Sequence, residues 1–254
     1  MQITEKLIQS FLLCPYKAHL LLKGVVGQQS DYEILQNDLC SAYLSVVLRT
    51  DHDQPSIAKY RGSSKGRKLI TGIQVAYGDL SSSCEIIAEN DGNSSLGGFY
   101  YSPVVVTHKN KITKEDKALL AFRGLILERM QNRSPESGLI IYGNPCKITK
   151  VKIAKHVVEV MRTIEKVKAS IKAPPHLFIN RHCQICEFYE SCREEAIKEE
   201  NLSLLGQVGA KEAQKKKKKG IFTLTVSAGE NVPPLSGARC HPEAGGVVDE
   251  TQIS

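Results

Sequence analysis

The sequence predicts an α/β fold with a central mixed sheet. Three observations carry this. Two helical patterns open the chain, a run of strand patterns fills its middle, and further helices alternate with strands in the second half.

In "TEKLIQSFLLCPYKAHLLLK" (4–23), Leu7, Phe11 and the run His19 to Leu22 recur at helical spacing, and Pro15 predicts a break. "EILQNDLCSAYLSVVLR" (33–49) is a second helix, and "SIAKYRGSSKGRK" (56–68) a turn-rich basic loop. "LITGIQVAYGDL" (69–80) is a strand entering a turn, and "CEIIAEN" (84–90) is a short strand stopped by Asp91 and Gly92. "GGFYYSPVVVTH" (97–108) is a β-branched strand. "TKEDKALLAFRGLILERMQ" (113–131) is the clearest helix, capped at Thr113 or Lys114, with apolar residues at 119, 122, 126 and 130. "SGLIIYGN" and "CKITKVKI" form a hairpin of strands, followed by a helix over 154–172 and a cysteine-rich segment.

The chain has 254 residues, 41% of them hydrophobic, which suits one main domain with appendages. We place that domain at 1–200, a short lysine-rich segment at 201–226 and a tail at 227–254. The tail is rich in Gly, Pro and Ser and has too few large apolar residues to offset the entropy of ordering, which predicts disorder. No long apolar run and no small-residue cleavage site occurs, so neither a membrane segment nor a signal peptide is expected and the predicted location is the cytoplasm. Eight cysteines in such a chain point to metal or free thiols rather than disulfides. A net charge of +7 fits a nucleic-acid partner or another acidic surface.

"HCQICEFYESC" (182–192) places Cys183, Cys186 and Cys192 in a C-x2-C-x5-C run, in a loop ahead of a charged helix. Three thiolates at this spacing predict a metal site that lacks a fourth ligand. The candidates are Cys14, Cys40, Cys84, Cys146, Cys240, His176 and His182. His182 adjoins Cys183 and Cys240 lies in the tail. Cys40 occupies an apolar helical position, and Cys84 and Cys146 lie on strands, so these three are expected in the core. Cys14 precedes Pro15, where the helix breaks and a side chain can turn outward, and it is the fourth ligand chosen. All-thiolate ligation leaves zinc and an iron–sulfur cluster both open.

"LLCPYKAHL" near the start, with "CQICEFYESC" near the domain's end, resembles the iron–sulfur nucleases of the RecB-like branch of the PD-(D/E)xK superfamily, which includes the CRISPR-adaptation exonucleases. "YYSPVVVTHKNKITKEDKALLAFRGLILERMQNRSPESGLIIYG" and "CEFYESCREEAIKEENLSLL" resemble more closely the RecB-like nucleases fused to a C-terminal RNase H-like domain. The resemblance spans roughly residues 1 to 225. It implies a restriction-endonuclease-like core, and a 4Fe-4S cluster on Cys14, Cys183, Cys186 and Cys192 that clasps the first helix to the C-terminal segment. The implied partner is DNA, as a single strand or a duplex end. The implied chemistry is phosphodiester cleavage with Mg²⁺ or Mn²⁺ held by a carboxylate pair and a lysine beside the attacking water.

The residues at the catalytic positions depart from that pattern. Glu85 stands where the first-strand Asp is expected, and Val105 and Thr107 replace the second acid and the lysine. Lys109, Lys111, Asp79 and Glu89 are the nearest substitutes. Asp116 and Arg123 replace the helix-borne Gln and Tyr, and the second helix carries no histidine. These departures predict a DNA-binding fold with weak or absent cleavage. The rival reading is a non-catalytic scaffold with structural zinc that binds protein or nucleic acid. "NLSLLGQVGAKEAQKKKKKGIFTLT" resembles a helix–hairpin–helix element, which implies phosphate contacts through Gly209 and the five lysines Lys215, Lys216, Lys217, Lys218 and Lys219.

Overall fold

The computed structural model describes residues 2–49, 69–144 and 146–205, with residues 212, 215, 216 and 219 described singly. The basic loop at 59–68, Gly209, Lys217, Lys218 and the tail lie outside the described residues. The chain divides into two units, Met1–Lys198 and Glu199–Ser254. Within the second, the described backbone includes a short 3-10 turn at Leu202–Leu205 and a hydrogen bond from the Lys219 N–H to the Lys216 carbonyl at 2.9 Å.

The first unit is an α/β structure. Its described strands are β1 (Ile3–Thr4), β2 (Leu69–Tyr77), β3 (Leu80–Ser94), β4 (Gly97–Thr107), β5 (Ser137–Tyr142) and β6 (Lys147–Lys152). They form one mixed sheet in the order β2-β3-β4-β5-β6. The β2–β3, β3–β4 and β5–β6 pairs are antiparallel hairpins, whereas β4 and β5 run parallel because the chain crosses over between them through a helix. β1 adds in parallel to the first residues of β3, with Ile3 opposite Leu80.

The described helices are α1 (Glu5–Leu13), α2 (Pro15–Leu22), α3 (Asp31–Arg49), α4 (Lys114–Gln131), α5 (Ala154–Ala169) and α6 (Tyr189–Lys198). The expected break at Pro15 is a true boundary. Cys14 has extended backbone and is at once the C-cap of α1 and the N-cap of α2, with Pro15 at the first helical position where its missing N–H costs nothing. Thr113 caps α4 through a reciprocal pair of bonds with Asp116.

Two expectations need correction. β3 does not stop at Asp91 and Gly92. Gly92, at φ +136°, sits where the pairing register slips between Asp91 and Ser94, so a bulge absorbs the extra residue and the strand runs on. α5 ends at Ala169, short of residue 172.

α4 crosses behind the sheet and is buried almost all round from Ala118 to Leu127. Phe122, Leu125 and Ile126 join Ile8 of α1, Cys84 and Ile87 of β3, and Val160 and Ile164 of α5 in the largest core cluster. A second cluster packs Val47 of α3, with Tyr43 and Leu44, on Ile86, Val104 and Ile141. Ile86 and Ile87 thus face opposite layers, as strand alternation requires. Helices flank the sheet on both faces.

The seam between α4 and β5 closes tightly at Gly138. A Cβ there would meet the Pro103 carbonyl oxygen at 2.6 Å and Leu120 Cδ1 at 2.7 Å. Gly138→Ala should therefore destabilise the fold by about 1 to 3 kcal/mol, the usual cost of overpacking. A lowered urea midpoint at unchanged m-value would register it.

Candidate functional site

Arg123 is fully buried at the middle of α4. Its Nη1 donates to Glu85 Oε2 at 2.6 Å and to the Val104 carbonyl at 3.2 Å. Its Nη2 donates to Glu85 Oε1 at 3.0 Å, Glu5 Oε2 at 3.2 Å and the Ser83 carbonyl at 2.6 Å. The Nε–H is shared between Glu5 Oε2 and Ser82 Oγ, and the Ser82 hydroxyl donates to Glu5 Oε2. Every guanidinium N–H thus has an acceptor, which is the condition for burying the charge. Burial alone would lower the pKa of Arg123. The Glu85 hydrogen bond and the charges of Glu85 and Glu5 outweigh that and raise it. Burial pushes the neighbouring Cys84 thiol up to about 11, only partly offset by the Arg123 charge.

This cluster forms the base of a cleft of about 640 Å³ between α1, α3, β4 and the start of α4. The carboxylate expected from the sequence, Glu85, faces it, but the arginine fork takes both of its oxygens. Val105 and Thr107 also line it, each nearly buried. Lys109 reaches the cleft wall and pairs with Asp116 at 3.7 Å, whose other oxygen serves the cap of α4. Asp79 is held elsewhere by Lys168 at 3.0 Å, and Glu89 and Lys111 do not line this cleft.

Cys40 is not core filler. It is exposed, lines the cleft from α3, and its Sγ lies 3.2 Å from His108 Nδ1. Its apolar neighbours in sequence hid this, because α3 lays only Val47 and its flanking residues on the sheet. Glu5 was equally illegible, since an acid in the first turn of a helix is ordinary capping chemistry. Cys84 and Cys146 are buried as expected, although Cys146 lies in the turn before β6 rather than on a strand.

The other concentration of chemistry lies where the two ends of the unit meet. Cys14 is buried rather than turned outward. It lies within electrostatic reach of Cys183, Cys186 and Cys192, and the approach of these thiols contributes to raising the pKa of the last three, after burial as the main cause. The Cys192 thiol is pushed up to about 12. The trio is not confined to a loop: Cys183 is in a 3-10 turn, Arg181–Ile185, Cys186 follows it, and Cys192 is on α6. Three of the four sulfurs accept backbone N–H groups, Cys14 from Lys17 at 3.5 Å, Cys183 from Asn180 at 3.2 Å, and Cys186 from Phe188. Among the described residues, no three His, Cys, Asp or Glu side chains are gathered closely enough to hold a single metal ion as they stand.

Polar contacts fasten these ends as well. Lys17, buried between them, donates to Glu33 at 3.0 Å and pairs with Glu187 at 3.2 Å. The Gln28 N–H donates to the Glu187 carbonyl at 2.9 Å, Ser30 Oγ to the Ile185 carbonyl at 3.0 Å, and Asn180 Nδ2 to the Leu13 carbonyl at 3.4 Å. Gly27 lies so close that a Cβ would meet the Glu187 carbonyl oxygen at 2.6 Å. His182 bridges the two regions. It lines the cleft, it precedes Cys183, and its buried Nε2 has no hydrogen-bond partner among the described residues.

The arginine cluster makes a quantitative prediction. Arg123→Met removes one partner of a buried ion pair and should cost about 3 kcal/mol, the lower end of the usual range because the Glu85 side chain is 36% exposed. Arg123→Met combined with Glu85→Leu should recover part of that loss. Denaturant titration of the wild type, both single variants and the double variant measures the coupling directly.

Comparison with known proteins adds little. No family model and no curated protein matches the chain. Among solved structures, the crystal structure of SSO0001 is similar at a TM-score of 0.35 and 13% identity, over 74% of this chain and 83% of that one, a likeness too slight to carry any argument.

Proposed function

We propose that this chain is a DNA-binding protein on a restriction-endonuclease-like core, carrying a 4Fe-4S cluster and having little or no phosphodiester cleavage. The observation that carries the reading is the arginine fork on Glu85. A catalytic Mg²⁺ or Mn²⁺ needs free carboxylate oxygens. Here the only acid at the expected strand position has both oxygens engaged by a fully buried cation, and Val105 and Thr107 offer neither a carboxylate nor an amine. Withdrawing Glu85 toward a metal would leave Arg123 with Glu5 as its single carboxylate partner. The cleft therefore does not suit a catalytic cation, and no hydrolytic step is assigned to it.

The cysteine neighbourhood does suit a cluster by its donor chemistry. Cys14, Cys183, Cys186 and Cys192 are four soft donors in a half-buried space, and three of them already accept N–H bonds of the kind that stabilise thiolates and tune cluster potential. Bound there, the group would cross-link the α1–α2 junction to the segment before α6. Its net effect would be structural, tightening a junction that Lys17, Gln28 and Ser30 already hold. The single-zinc scaffold is the alternative that the same experiment decides.

Anaerobically purified protein should be brown and contain iron. Cys14→Ser should lose iron as severely as Cys186→Ser, while Cys40→Ser and Cys84→Ser retain it. Zinc in place of iron, or full iron in Cys14→Ser, would reject the cluster assignment. With Mn²⁺ and linear DNA, cleavage should be slow or undetectable, and robust cutting abolished by Glu85→Ala would overturn the inert-cleft reading.

For DNA binding, Lys215 and Lys219 are exposed, and Lys216 is partly so. Replacing Lys215 to Lys219 with Ser should weaken affinity for all sequences about equally. It should also flatten the log–log salt dependence by about 0.9 for each duplex phosphate contact removed. An unchanged slope would remove this segment from the interface.

A further inference from the structure

A second concavity lies on α4 and α5, lined also by the β2–β3 turn. It is a groove of about 700 Å³, within the roughly 300 to 1,000 Å³ of built binding sites. Leu80, Leu125 and Ile164 form its floor, and Val158, Met161 and Tyr77 stand at its edge, 57%, 46% and 48% exposed. Val158 and Met161 are three apart on α5, so they project side by side. α5 therefore shows two apolar faces, one buried through Val160, Thr163, Ile164 and Val167, and one left open.

The rim gives the occupant its sign. Arg129 of α4 and Arg162, Lys166 and Lys168 of α5 line the groove, against Asp79 and Glu165. Lys168 engages both of those carboxylates, at 3.0 and 3.8 Å. Among the described residues, Arg129, Arg162 and Lys166 have no ion-pair partner. An apolar floor does not suit a phosphate backbone. Two copies meeting groove to groove would oppose these cations in a chain of net charge +7.

We propose that this groove is a docking site for an acidic amphipathic helix of a partner protein. Large aliphatic side chains at i, i+3 or i+4, and i+7 would enter over Val158 and Met161, with Asp or Glu on the flanks facing Arg129, Arg162 and Lys166. This surface is separate from the DNA-binding reading and stands without it.

The probe is a fluorescein-labelled helical peptide of roughly four turns, with leucines on one face and glutamates on both flanks, and a control with lysines in place of glutamates. Fluorescence anisotropy on the intact protein should show the glutamate peptide binding at least about tenfold more tightly than the control. Met161→Glu should weaken it about tenfold, Val158→Ser less, and Arg162→Glu should weaken the glutamate peptide while improving the lysine peptide. Circular dichroism and the denaturation midpoint check that these exposed substitutions leave the fold intact. Equal binding of both peptides, or binding unaffected by Met161→Glu, would overturn the proposal. So would self-association or capture by phosphatidylserine vesicles that Met161→Glu abolishes.

Discussion

A single buried guanidinium organises the first unit. Arg123 enters from α4 and is satisfied by α1 through Glu5, by β3 through Ser82, Ser83 and Glu85, and by the backbone of β4 at Val104. A charge this deep is tolerable only when every donor is met, so the four elements cannot shift independently without leaving one unmet. Helix position, strand register and the base of the cleft follow from the same set of bonds.

That arrangement also decides what the cleft can do. At its base Glu85 is an acceptor through both oxygens and Glu5 through one, and nearer the opening Lys109 pairs with Asp116 and Cys40 lies against His108.

The junction of the first unit's two ends uses a different balance. Lys17 sits between Glu33 and Glu187, while backbone and hydroxyl donors reach the Glu187 and Ile185 carbonyls. Four thiols are drawn into the same region, and burial and mutual approach favour the neutral form of Cys183, Cys186 and Cys192. A cationic centre bound to those thiols would reverse that preference.

Periodicity and turn chemistry made most elements legible in advance. Pro15 marked the α1–α2 break, the pair Thr113 and Lys114 the start of α4, and β-branched runs the strands. Local signals misjudged Gly92, because a bulge depends on the partner strand's register, and they placed Cys40 in the core, because only α3's docking reveals which of its faces meets the sheet. The spacing of Cys183, Cys186 and Cys192 is visible in the chain, as is the break that singles out Cys14. Their proximity, the pairing of Arg123 with Glu5 and Glu85, and the open face of α5 join residues far apart in sequence. Only packing decides these, since burial determines which charges must find partners and which apolar side chains remain uncovered.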